Sequence, residues 1–226
     1  MATQRINTMA LIATMSRLNR SFFSVADMAK ITGLANGSLR VALTRLTKSG
    51  VLTRLSRGVY QLSLSEIDVK KIANQLYYPS YLSFESALSL QGILSQIPYA
   101  QTFATVKKSK KMTFWGTDVE FTQLKADLFF GYQLERGIYI AEPEKALLDQ
   151  LYLVSRGKRS LSLQELDLRN IDKARFKAYA ERFPSYVEPL IAKAQKYIGT
   201  TSIGLETNER IGDTEPITDR ITHAGQ

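Results

Sequence analysis

Cysteine is absent from the 226 residues, and histidine and tryptophan occur once each. Without cysteine there is no disulfide framework, no thiol nucleophile and no cysteine-ligated zinc or iron–sulfur centre. With His223 as the single histidine, imidazole-based metal sites and Ser-His-Asp chemistry have almost nothing to be built from. Long apolar runs are missing too, and nothing approaches the ~20 residues of a membrane span. No uninterrupted apolar segment follows Met1-Ala2-Thr3-Gln4-Arg5, so neither a secretory signal nor a membrane partner is expected, and the cytoplasm is the expected compartment. What is present suffices for a packed core, with 44% apolar residues. At roughly 100–200 residues per domain, the length allows one large domain or two small ones.

Acid is scarce where the chain begins. Residues 1–65 carry nine basic side chains against one acid, Asp27, a net charge of +8. Residues 66–226 carry 21 basic and 20 acidic side chains, a net charge of +1. A basic module joined to a near-neutral one points to nucleic acid or another anionic surface.

The spacing of Leu11, Ile12, Met15 and Leu18 predicts a first helix with these residues on one face. Ser21-Phe22-Phe23 breaks it, Ser24 and Asp27 suit the N-terminus of a second helix, and Gly33 suits its end. A short turn leads to a third helix over about residues 37–48, capped by Asn36 or a neighbour. There Leu39, Leu43 and Leu46 share a core face. The opposite face carries Gly37, Val41, Thr44 and Lys48, with Ser38 and Arg45 on one shoulder and Arg40 on the other. Next come two short strands, 51–55 and 59–62, joined by Ser56-Arg57-Gly58. Two helices across a tight turn followed by such a hairpin predict a winged helix-turn-helix. Ser38, Val41, Thr44 and Arg45 are the expected base readers, Val41 as an apolar contact to a thymine methyl. Arg40, Lys48, Arg54 and Arg57 are the expected backbone contacts.

The remainder reads as mixed α/β, giving an α+β chain overall. A helical connector is expected over 66–76 and a helix from Ser83 to about Leu94, closed by Pro98. Strands are expected at 102–106, 112–115, 119–121, 128–130 and 138–140. Helices follow from Glu142, where Pro143 suits the first helical position, and over about 172–182 and 186–198. Residues 199–226 are polar, with five acids against two arginines, and are expected to form a flexible tail. The expected domains are therefore 1–65, 66–198 and this tail.

Two segments carry a resemblance. Behind the basic module stand Tyr78-Pro79-Ser80-Tyr81-Leu82-Ser83-Phe84-Glu85-Ser86-Ala87-Leu88 and Ala141-Glu142-Pro143-Glu144-Lys145-Ala146-Leu147-Leu148-Asp149. Together they make residues 5–198 resemble the AbiEi-type antitoxins of bacterial AbiE toxin–antitoxin systems. The resemblance implies a winged helix that binds inverted repeats in the operon's own promoter, with two copies on the DNA. It also implies a C-terminal domain that helps neutralise a cognate nucleotidyltransferase-type toxin. A stand-alone regulator with a ligand-sensing second domain is the alternative.

Catalytic candidates are thin. Asp118-Val119-Glu120 has the acid-x-acid form of a nucleotidyltransferase metal pair, but no Gly-Ser or Gly-Gly element stands at a proper distance before it. Asp68-Val69-Lys70 lacks the partner acids of a nuclease. Glu142, Glu144 and Asp149 read more simply as helix N-terminal charge plus a surface acid. No glycine-rich phosphate loop occurs. No enzyme activity, cofactor or metal is expected. Lys107, Lys108, Lys110 and Lys111 around Ser109 read as a solvated hairpin tip, with a second phosphate-contacting or toxin-facing patch as the functional alternative. Arg156, Lys158 and Arg159 form a similar cluster.

Overall fold

The computed structural model describes residues 6–198; the expected tail over 199–226 lies outside them. Helix α1 (Thr8–Leu18) opens where the Asn7 side chain accepts from the Ala10 amide and closes at Asn19, in the left-handed region at φ 46°. Leu11 and Met15 are buried, whereas Leu18 is 44% exposed. Leu18 ends its helix, so the chain turns away before that side chain reaches the core. Strand β1 (Phe23–Ser24) pairs with Tyr60 and Val59. Two residues have no periodicity to read, so the sequence indicates only a break there. Helix α2 (Val25–Thr32) begins with a capping box: Ser24 Oγ accepts from the Asp27 amide while the Asp27 carboxylate accepts from the Ser24 amide and hydroxyl. Gly33 ends it at φ 68°, a conformation open to glycine at little cost.

Helix α3 (Asn36–Lys48) takes Ala35 as its N-cap, with no side-chain cap. Strands β2 (Leu52–Ser56) and β3 (Val59–Leu62) form an antiparallel hairpin, and with β1 a three-stranded sheet ordered β1-β3-β2. Leu11, Met15, Phe23, Met28, Leu39, Leu43, Leu46 and Leu52 share one buried cluster. Leu55 of the same hairpin belongs to the larger cluster beyond, against which Phe22 and Val59 also pack. The hairpin therefore joins the two cores.

Helix α4 (Val69–Leu76) starts three residues later than the expected connector, because the Asp68 carboxylate caps it by accepting from the Lys71 amide. Next in chain order are β4 (Ser80–Leu82), α5 (Phe84–Leu90), β5 (Ala100–Thr105), β6 (Lys110–Phe114), β7 (Thr117–Gln123), β8 (Tyr132–Glu135) and β9 (Ile138–Ala141). Helices α6 (Pro143–Ser155), α7 (Lys173–Ala180) and α8 (Glu188–Tyr197) complete the described residues. The strands form one mixed sheet ordered β6-β7-β5-β4-β9-β8, with β5–β7 and β4–β9 parallel. The architecture is mixed α+β.

Two of the expected elements differ in the structure. Helix α5 ends at Leu90 rather than near Leu94, stopped by Gly92 at φ 71° and not by Pro98; Leu94 forms a bridge with Leu166 instead. The aromatic run 128–130 is not a strand: it follows a 3-10 turn at Ala126–Leu128, and Phe129 packs against Tyr81 from that turn. Strand β8 carries no alternation in its sequence, because Gln133, Leu134 and Glu135 are all exposed on an edge strand. Among the described residues no helix is long and apolar enough to cross a membrane.

Candidate nucleic-acid interface

Helix α3 has a strict division of faces. Leu39, Leu43 and Leu46 are buried to between 1 and 3% exposure, and Ala42 is buried beside them. Ser38, Arg40, Val41, Thr44, Arg45 and Lys48 are exposed, with Val41 at 71%. The larger core does not cover this face. Thr44 Oγ1 donates to the Arg40 carbonyl at 3.0 Å and Thr47 Oγ1 to the Leu43 carbonyl at 2.8 Å, so both hydroxyl protons stay within the helix. No acidic residue occurs in α3.

The only acid of the basic segment is already engaged. Asp27 holds the capping box and accepts from Arg20 at 3.2 Å. The hydrogen bond from Ser24, with the Arg20 charge adding to it, holds the Asp27 carboxyl below its ordinary value. Arg40, Arg45, Lys48 and Arg57 have no acidic partner among the described residues. Arg57 and Gly58 form the hairpin turn, Gly58 at φ 79°, and the Gly58 carbonyl accepts from the Val25 amide. That bond fixes the turn to the start of α2. Arg54 is exposed on β2 and donates to the Ser56 carbonyl at 3.3 Å.

Residues 13–63 match the AbiEi antitoxin family of transcriptional regulators. The match runs from within α1 to the end of β3, the stretch that carries the basic face. The two segments that carry the resemblance in the sequence, Tyr78–Leu88 and Ala141–Asp149, lie outside it. A comparison with curated proteins finds no match. Among solved structures, the crystal structure of the RV2827C protein from Mycobacterium tuberculosis is similar, with a TM-score of 0.57 over 86% of this chain and 78% of that one. The two share 14% sequence identity, so the likeness concerns the fold.

The lysine run is not a hairpin tip. Strands β5 and β6 do not pair; β7 lies between them, so residues 106–109 form a crossover. Lys107 donates to the Tyr78 carbonyl, and Lys107 and Lys110 stand 5.4 and 5.5 Å from the centre of the Tyr77 ring. Lys111 pairs with Glu120, while Lys108 is exposed and its carbonyl accepts from the Tyr77 hydroxyl. Arg159 leaves the other cluster to bridge Glu85 at 2.6 Å and Glu120 at 3.2 Å. Glu120 is thereby held by two cations, and Asp118 accepts from Thr113. Among the described residues no group of three or more His, Asp or Glu side chains is placed to hold a metal ion.

Asp149 is the largest departure from the sequence reading, because it is fully buried rather than on the surface. Lys145, one turn earlier on α6, is fully buried with it and donates to Asp149 and to the Tyr81 hydroxyl. Tyr81 and Ser83 in turn donate to Asp149 at 2.9 and 2.8 Å. Three rings, those of Tyr81, Phe130 and Phe183, surround the ammonium at 5.0–5.4 Å. Burial pushes the Lys145 ammonium down and the Asp149 carboxyl up from their ordinary values, each opposed by the other's charge. Burial and the Asp149 charge hold the Tyr81 phenol well above its ordinary range. The cluster thus joins the two segments that carry the sequence resemblance, one from β4 and the other from α6. The sequence gives no sign of this burial, because Glu142, Lys145, Asp149 and Arg156 share one stripe of the helix and have the pattern of a solvated face.

A cleft of about 1170 Å³ separates the basic segment from the larger sheet, lined by Arg20, Gln61, Lys70, Lys71, Arg136 and Ile140 among others.

Proposed function

We propose that this chain is an antitoxin of a toxin–antitoxin system and a winged-helix repressor of its own promoter. In that reading α3 is the recognition helix and the β2–β3 hairpin the wing. The observation that carries it is the uncovered face of α3, where unpaired cations flank small neutral side chains and no acid intrudes. A helix of this composition suits the major groove: Ser38, Val41, Thr44 and Arg45 face base edges, while Arg40, Lys48, Arg54 and Arg57 meet phosphates. Residues 1–65 act as the DNA-binding domain and 66–198 as the domain directed at the toxin. Inverted repeats would place two copies on the duplex, one per half-site. The family match supports a regulator over an enzyme, and the single-sign charge supports double-stranded DNA as partner.

A reporter fused to the chain's own upstream region tests the repressor role. Wild-type chain lowers reporter output, and Arg45→Ala restores it; equal output with and without the chain contradicts the role. Co-expression of the full chain with a nucleotidyltransferase encoded beside it tests the antitoxin role. Growth is rescued if the reading holds, and Arg45→Ala rescues equally because neutralisation does not use α3. A toxic nucleotidyltransferase that the chain leaves fully active contradicts it. Lys107, Lys108, Lys110 and Lys111 serve as a secondary basic patch, with Lys108 the most available of the four.

The cleft favours a second reading, a regulator whose affinity for DNA answers to a small ligand lodged between the basic segment and the sheet. A neighbouring toxin gene whose product the chain neutralises favours the first reading. Absence of such a gene, with DNA binding that shifts on adding a metabolite, favours the second.

A further inference from the structure

The centre of the α3 face differs from its edges. Arg40, Arg45 and Lys48 supply charge at its margins, and Ser38 supplies a hydroxyl near its start. Val41 and Thr44 lie between them, three residues apart and so on one stripe. Val41 has no polar atom and is 71% exposed. Thr44 has spent its only hydroxyl proton on the Arg40 carbonyl at 3.0 Å, which leaves its methyl to meet a partner. A single exposed valine needs no explanation. A valine beside a threonine whose donor is turned inward, ringed by unpaired cations, makes an apolar strip on a face otherwise built for anions.

We propose that Val41 and Thr44 form a methyl-reading pair, selecting operator half-sites that present thymine at the centre of the recognition helix. This rests on the reading of α3 as a DNA-recognition helix. The chemistry leaves little choice of ligand. In the major groove the thymine 5-methyl is the one apolar feature that distinguishes a base pair, and every other edge offers a donor or an acceptor. Cytosine at the same place carries no 5-methyl for these two methyl groups to meet, and its amino group would lie against Val41, which has no acceptor. The cations at the margins hold the helix against the phosphates and bring the strip down onto the bases.

The test uses the full chain and a duplex enriched by it from a random pool. Each thymine of that duplex is replaced singly by deoxyuridine, which removes the 5-methyl and keeps base pairing and hydrogen-bond groups. Affinity is expected to fall about fourfold at one or two thymines in each half-site, the ~0.8 kcal/mol of one buried methyl group. Val41→Ala should weaken the thymine duplex by a similar factor and erase its advantage over the deoxyuridine duplex. Thr44→Ser should erase the advantage at the adjacent position, while Thr44→Val should keep it. Both positions are exposed, so folding is not at stake. Deoxyuridine duplexes that bind as tightly as the parent, or a Val41→Ala chain that keeps the full preference for thymine, overturn the proposal alone. A pool from which no sequence is enriched removes the reading of α3 as a base-reading helix, and the methyl pair with it.

Discussion

Two side chains set the behaviour of the larger core. Lys145 and Asp149 are fully buried, and each is tolerable there only because the other, with Tyr81 and Ser83, satisfies it. Removing one partner strands a charge in the interior. Lys145→Ala is therefore expected to cost about 3–5 kcal/mol in urea unfolding, while Lys145→Met combined with Asp149→Leu costs far less. A single variant as mild as the double one would show that the pair is not coupled. Gly131 belongs to the same account. It sits at φ 66°, and an added Cβ would come within 3.1 Å of the Lys145 and Tyr179 side chains. Gly131→Ala should lower stability by about 1–3 kcal/mol, from strain and overpacking together; an unchanged unfolding midpoint would count against it. The burial of this pair was hidden in the sequence because lysine followed by aspartate at i, i+4 has the form of a surface ion pair. Glu142 and Arg156 lie on the same stripe of α6 and complete the look of a solvated face.

At the scale of elements, what is local was legible and what depends on distant partners was not. The Ser24–Asp27 cap and the Gly33 stop of α2 follow from residues within one turn of each other, and both are as the sequence indicates. The crossover after β5 and the edge strand β8 depend on sheet order, which no local pattern encodes. The cap makes its own prediction. The Asp27 carboxyl is held below the ordinary value of 3.8, first by its hydrogen bond from Ser24. A carboxyl that ionises more readily folded than unfolded adds stability above its unfolded pKa, and that contribution is lost as pH falls through the lower, folded value. Ser24→Ala should cost about 1 kcal/mol near neutral pH. Asp27→Asn should narrow the loss of stability between neutral pH and pH values below 3.8, followed as thermal unfolding across an acid series. A variant that loses stability in acid as steeply as the parent would contradict the assignment.

Over the whole molecule, the charge has an address. The net +9 resides almost entirely in residues 1–65, and the fold leaves the cations of α3 and of the hairpin turn unpaired and exposed. Meanwhile Leu55 and Val59 of the same hairpin, with Phe22 just before β1, pack in the larger core, so the basic segment is anchored to the body through its small sheet. Charge placement and the faces of α3 were legible because they follow from composition and helical period. The anchoring was not, because Leu55 reads like any other strand residue. Arg57→Ala should weaken binding to all duplexes alike and reduce the dependence of log affinity on log salt by about one unit; a loss confined to one sequence would argue against a phosphate contact.

The central claim is that α3 reads a defined DNA sequence. A gel-shift titration across a salt series tests it most directly, using duplex from upstream of the chain's own coding sequence, a shuffled duplex of equal composition, and the wild-type and Arg45→Ala chains. Tighter binding to the upstream duplex is expected, with a loss of about 1–3 kcal/mol of that preference in Arg45→Ala and binding to shuffled DNA little changed. Equal affinity of the wild-type chain for both duplexes at every salt concentration would contradict it.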